Sequence, residues 1–182
     1  MKRVLPLLTA VSLSVAVAGG QEPKLTTPSP PISAYGVLSG LHGRAFDRAF
    51  LRWMMNYEAV TVDMAKSAIH GGVNSTAKAF AQSVLNARQS DIQQLQRWEK
   101  RWYGTQQDGR NASASIIGPL PGQTWDAWFL TFLPRQNEVN SHLLNLVAGH
   151  TRNPQLRAFA QAHLTAWNTE NQQSQQLLKD LK

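Results

Sequence analysis

From Phe46 onward, the apolar positions recur at alternating steps of four and three. Phe46, Phe50, Trp53, Tyr57, Val60 and Met64 form one such line, the spacing that gathers side chains on a single helix face. A second line runs Ala77, Phe80, Val84, Arg88, Asp91, Leu95, Trp98 and Trp102. Two more follow the same rule: Trp125, Phe129, Phe132, Gln136, Val139 and Leu143, then Leu156, Phe159, His163, Trp167, Glu170, Ser174, Leu177 and Leu181. Four amphipathic helices are predicted. Gly71-Gly72 and Gly149 mark the ends of the first and third, since glycine takes a left-handed cap without steric cost. Asn74 and Asn153 stand at the N-caps of the second and fourth. Pro154 follows at the first helical position, where its missing N–H costs nothing.

The four lines are one pattern written twice. Displacing the chain by 79 residues sets KAFAQSVLNA on RAFAQAHLTA and FDRAFL on WDAWFL. Asp47 then meets Asp126, Phe50 meets Phe129, Asn74 meets Asn153, and Gln93-Gln94 meets Gln172-Gln173, with no gap from 46 to 103 against 125 to 182. A tandem duplication of a helical hairpin explains this, with repeat 1 at about 43–103 and repeat 2 at about 125–182. The breaker-rich segment 104–124 joins the copies. A helix of about 28 residues is ~42 Å long, and a linker of about 19 residues reaches ~60 Å when extended, so it can run the whole length of a bundle. Two short hairpins and one long crossover make the connectivity of ferritin-like four-helix bundles. The expected fold is therefore all-α, a ferritin-like four-helix bundle over 43–182.

The residues before the bundle change the picture of compartment. Lys2 and Arg3 precede an apolar run from Val4 to Val17, and Ala16-Val17-Ala18 supplies a small-residue cleavage site. Such a run is short of the ~20 residues that cross a bilayer, so residues 1–18 read as a secretory signal peptide. Residues 19–42 are rich in Pro, Ser, Thr and Gly without periodicity and read as a flexible tether. A periplasmic or extracellular location is expected, with no transmembrane segment in the mature chain. The chain has no cysteine, so its stability must come from core packing rather than disulfides. Without Lys2 and Arg3 the basic residues fall from 18 to 16 against 11 acids, a charge of about +5. That charge is dispersed along the helices, with RWEKRW at 97–102 the one local cluster. Nucleic-acid binding is not expected; the charge leaves room for a weak association with anionic envelope surfaces.

At 46–66 the chain reads FDRAFLRWMMNYEAVTVDMAK. This stretch resembles the bacterial family known as domain of unknown function 305, whose first helix has the pattern F-D-x-x-F-L-x-x-M-x-x-H-H-x-x-A-x-x-M-A. Phe46, Asp47, Phe50, Leu51, Met54, Met64 and Ala65 match it, and Ala81 to Ile92 resembles the family's later polar helix. The resemblance implies a ferritin-like helical fold, export, and kinship with proteins that handle copper or silver. The departures fall on the ligands. The paired histidines of the pattern correspond to Tyr57 and Glu58, and in the second copy to Gln136 and Asn137, while Met54 and Met64 become Leu133 and Leu143. Since imidazole suits copper and zinc and thioether alone is a soft, weak donor, these changes remove the ligands the resemblance would supply.

Other chemistry is sparse. A di-iron site needs Glu-x-x-His on two helices, yet Glu58, Asp91, Glu138 and Glu170 are followed at that spacing by Thr61, Gln94, Ser141 and Gln173. No G-x-S-x-G, P-loop or H-E-x-x-H is present. Glu138 and His142 share a helix face as an ordinary intrahelical pair, and His70 and His150 close the first helix of each hairpin at its negative end. Arg88, Asp91, His163 and Glu170 fall on interior positions, where acids need partners. Two readings stand open. Arg88 and its neighbours pair in a mid-bundle network that fixes helix register, or Glu58, Asp91, His163 and Glu170 converge on a cation. Met54 and Met64 are the thioether candidates, but they are nearly three turns apart, about 15 Å along the axis, and cannot share one ion. The expectation is an exported, non-enzymatic helical bundle, a binding or structural module of the envelope. The alternative is a periplasmic copper- or silver-binding or buffering protein with altered ligands.

Overall fold

The computed structural model describes residues 32–105, 118–119 and 123–181. The signal-peptide reading at 1–18, the tether up to residue 31 and most of the 104–124 connection lie outside the described residues. Among the described residues all regular structure is helical: α1 (Ile32–Ser39), α2 (Gly43–Gly71), α3 (Ser75–Tyr103), α4 (Trp125–His150) and α5 (Pro154–Asp180). None of these helices is long and apolar enough to cross a membrane.

The main pairings are α2 with α3 and α4 with α5, and α2 also lies along α4. These are the two hairpins expected from the repeat. At one end of the bundle the Tyr103 hydroxyl donates to Arg44 O at 3.2 Å and His150 Nδ1 lies 2.7 Å from Leu41 O. At the other end Trp125 covers Gly71. The connection from α3 to α4 thus starts and finishes at opposite ends of the bundle, as the crossover reading requires.

The N-caps form as the asparagines predict. Asn74 Oδ1 accepts from the N–H groups of Thr76 and Ala77, and Asn153 Oδ1 from those of Gln155 and Leu156. The helix ends correct the reason given for the glycines. Gly72 is extended (φ −72°) and α4 continues past Gly149 to His150. Among the described residues only Gly43 (φ 55°) and Gly104 (φ 67°) take positive φ, and Gly104 is the left-handed cap, on α3. Gly71 and Gly72 are needed for space. A Cβ on Gly71 would strike the Trp125 indole, and one on Gly72 the Asp126 carboxylate. Asp126 uses that room to accept the N–H groups of Val73 (2.8 Å) and Asn74 (3.0 Å).

The stretch read as an aperiodic tether also ends differently. Its last part forms α1, which packs on α2 and α4 and buries Leu38 in the core. Among the described side chains of α1, Leu38 is the buried one, too little to register as a periodic pattern.

The core falls into two apolar clusters. One, at the α1 end, gathers Phe46, Phe50, Met54, Leu95, Leu143 and Trp167; the other, at the Trp125 end, gathers Met64, Phe80, Val84, Phe129 and Leu133. Each fully buried side chain of this size contributes roughly 1.5–3 kcal/mol. Between the clusters lies a buried polar layer that includes Glu58, Thr61, Arg88, Asn137 and His163.

Candidate functional site

All four long helices supply the polar layer. Helix α2 brings Tyr57 and Glu58, α3 brings Arg88 and Asp91 three residues apart, and α4 brings Asn137. Helix α5 presents His163, Trp167 and Glu170 along one stripe. Arg88 is the hub. Its side chain is almost wholly buried, with Nε 3.0 Å from Glu58 Oε2, Nη1 4.0 Å from Asp91 Oδ2 and Nη2 in a short contact with Glu170 Oε2. Its guanidinium also lies 5.6 Å from the Trp167 ring centroid, within cation–π range.

A second chain of contacts runs beside the first. Tyr57 donates to Asn137 Oδ1 at 2.7 Å, and the Asn137 amide donates to Glu170 Oε2 and Asn171 Oδ1, each at 3.0 Å. His163 closes the layer. Its Nδ1 is 2.9 Å from Phe159 O, one turn back, and its Nε2 is 3.0 Å from Asp91 Oδ2 and 3.9 Å from Glu58 Oε1.

Glu58 is the strained member. It is fully buried, and although Arg88 Nε is close, the approach is off-axis, so neither Glu58 oxygen nor Arg88 Nε makes an aligned hydrogen bond. The pair is ionic by distance but not by direction. Burial pushes the Glu58 carboxyl up to about 7, with Arg88 and His163 pulling against that shift. Burial likewise drives the Tyr57 phenol well above its usual range, so it serves as a neutral donor. For Arg88 burial opposes the charge, yet Glu58 and Glu170 more than offset this and hold the guanidinium protonated.

Of the residues expected from the sequence, Glu58, Asp91 and His163 do converge, each offering a ligand atom within 4.8 Å of the others. Glu170 sits beside them but is held by Arg88 and Asn137. Met54 and Met64 are separated into the two apolar clusters. Glu138 and His142 face solvent. The Tyr57–Asn137–Glu170 chain was not anticipated, although a signal for it existed. Asn137 is the repeat-mate of Glu58 and Glu170 of Asp91, so the duplication itself places these pairs at one level of the bundle. From Asn137 and Trp167 a groove of about 730 Å³ opens outward between α4 and α5, past Asn168, Asn171 and Gln172.

The arrangement suits holding charge. Three carboxylates from three helices surround one guanidinium and one imidazole, a set that can retain a proton or a cation.

Residues 33–99 match the model of a family described as Domain of unknown function (DUF305). Among solved structures, CopM in its Cu(II)-bound form aligns with a TM-score of 0.63 at 14% identity, covering 75% of this chain and 97% of that one. CopM in the apo form gives 0.62 at 16% identity, with 74% and 96% covered. A DUF305 fragment from Deinococcus radiodurans gives 0.61 at 14% identity, with 76% and 99% covered. At such identities the likeness is one of fold. No curated protein matches the chain in sequence.

Proposed function

Since the chain carries the DUF305 unit over residues 33–99, we propose that it is an exported, non-enzymatic helical bundle of the cell envelope, related to metal-handling proteins, whose central cation is its own Arg88. One observation carries this reading: the buried guanidinium reaches Glu58 of α2, Asp91 of α3 and Glu170 of α5. Drawing carboxylates from several helices to one point is the structural task of a bound ion. Here a covalently attached charge performs it and cannot dissociate.

The donor set supports the same reading. CopM has structures with Cu(I) and with silver, soft ions that favour thioether and imidazole. In this chain Met54 and Met64 lie in separate apolar clusters, and the polar layer offers carboxylates and a single imidazole. These residues do not fit a soft monovalent ion. Calorimetric unfolding with and without a copper chelator tests the proposal. The same transition temperature is expected in both, and a fall of many degrees on chelation would overturn it.

A second reading rests on the Glu58–Asp91–His163 trio. Its ligand atoms lie within 4.8 Å, both Glu58 oxygens lack a hydrogen-bond partner, and the Nδ1 contact to Phe159 O leaves Nε2 as the donor atom. Oxygen and imidazole donors suit a divalent ion such as Cu(II) or Zn(II), and these three residues would hold it. Isothermal titration with each ion decides the matter. Stoichiometric uptake lost in His163→Ala supports this reading, and the absence of uptake removes it.

A further inference from the structure

The duplication allows the two ends of the bundle to be compared position by position. At the Trp125 end, Gly71, Gly72, Trp125 and Asp126 close on one another, and both N–H groups after the turn are taken by Asp126 Oδ2. Their repeat-mates at the opposite end are His150, Thr151, Phe46 and Asp47. Thr151 therefore places a side chain where Gly72 has none, at a position where a Cβ would meet the aspartate. The turn is rewired accordingly. The Thr151 hydroxyl accepts the Asn153 N–H at 2.9 Å, whereas the equivalent N–H of Asn74 goes to Asp126. Asp47 is 8% exposed and its Oδ1 is buried without a hydrogen-bond partner. One repeat seals its turn; the other leaves a carboxylate oxygen unused.

Asp47 lines a pocket of about 640 Å³, together with His42, Arg44, Arg152 and Arg157. Helices α2 and α5 both begin there, and neither has an acidic residue in its first turn. The α2 N-cap, His42, makes no side-chain capping bond, unlike Asn74, Thr124 and Asn153 on the other three long helices. Arg44 and Arg157 are braced by carbonyls, Trp102 O and Ala148 O, each at 2.8 Å. Arg152 is exposed. Three guanidinium groups thus share the pocket with one carboxylate.

Guanidinium groups and uncapped helix N–H groups suit phosphate oxygens. A bare anion would leave Asp47 opposing it, so the ligand must bring a donor as well. The volume is that of a small-molecule site, ~300–1,000 Å³. We propose that this pocket binds a phosphate ester carrying a free hydroxyl, with the phosphate at Arg152, Arg157 and the start of α2 and the hydroxyl donating to the Asp47 carboxylate. Glycerol phosphate has this chemistry both as a soluble molecule and as the headgroup of phosphatidylglycerol.

The test follows backbone amide NMR shifts of the whole mature protein during titration with glycerol 3-phosphate, with inorganic phosphate and sodium chloride as references. A parallel arm measures co-sedimentation with phosphatidylglycerol and phosphatidylcholine vesicles. Saturable shifts are expected at Gly43, Arg44 and Asn153, tighter for the glycerol ester than for phosphate. Arg152→Gln should weaken binding about fivefold or more, on the scale of a lost charge-assisted bond, with the melting temperature unchanged. Asp47→Ala should abolish the preference for the ester over phosphate. Binding in the soluble arm identifies a small metabolite as sufficient, and binding in the vesicle arm alone identifies the lipid headgroup. Absence from both arms, shifts reproduced by chloride, or indifference to Arg152→Gln would overturn the proposal.

Discussion

The Tyr57 hydroxyl lies 2.7 Å from Asn137 Oδ1. Asn137 is the repeat counterpart of Glu58, the neighbour of Tyr57, so the closing of the two hairpins has brought adjacent positions of the repeat face to face. A pairing of neutral groups now joins α2 to α4 there. Tyr57→Phe would leave Asn137 Oδ1 buried without its donor and should cost about 1–3 kcal/mol, measured by urea unfolding. A variant as stable as the parent would mean that the contact does not hold the hairpins together.

Arg88 is the single positive charge that all three carboxylates of the layer approach. Arg88→Met should destabilise by roughly 3–5 kcal/mol, because it strands Glu58 and Glu170 without a counter-charge. Adding Glu58→Gln should recover part of that loss. A double-mutant cycle reports this directly, and strict additivity of the two changes would deny the ion pair any energetic role.

The raised carboxyl of Glu58 gives stability a definite pH dependence. Unfolded, the group titrates near 4.5, and in the fold near 7. Because the folded state holds the proton more tightly, this contribution is complete below pH 4.5 and is lost as pH rises through 7. At about 1.4 kcal/mol per pH unit the loss is roughly 3 kcal/mol. Glu58→Gln should flatten the pH profile over that window. Melts of parent and variant on both sides of it would show parallel curves if the layer does not hold the proton.

The glycines make opposite predictions. Gly72→Ala must displace the Asp126 carboxylate from its backbone partners and should cost about 1–3 kcal/mol. Gly149→Ala meets nothing within 4 Å and should be neutral or gain up to about 1 kcal/mol. Equal effects in thermal melts would contradict the close approach at Gly72.

The apolar lines were legible because a helix repeats its direction every 3.6 residues, so burial leaves a periodic trace. Phe46, Phe50, Tyr57 and Met64 are all buried as that trace requires. Arg88 and His163 are buried as the same spacing expects, Asp91 and Glu170 are half-buried, and Glu58, Asp91 and His163 bring ligand-capable atoms within 4.8 Å of one another. The α1 contact was not legible. Among the described side chains of α1, Leu38 is the buried one, and one residue has no period.

By itself the sequence determined the four long helices, the Asn74 and Asn153 caps, the repeated pattern and the inward positions of Arg88 and His163, because these follow from spacing along one chain. Tertiary structure decided the rest. Whether Arg88 or a vacant point stands among the acids, whether Met54 and Met64 meet, and whether Asp47 or Asp126 is satisfied depend on how far apart different helices sit and how each side chain is aimed. Those distances arise only when the two hairpins close, since Coulomb and hydrogen-bond energies are set by separations across helices that no spacing within a helix contains.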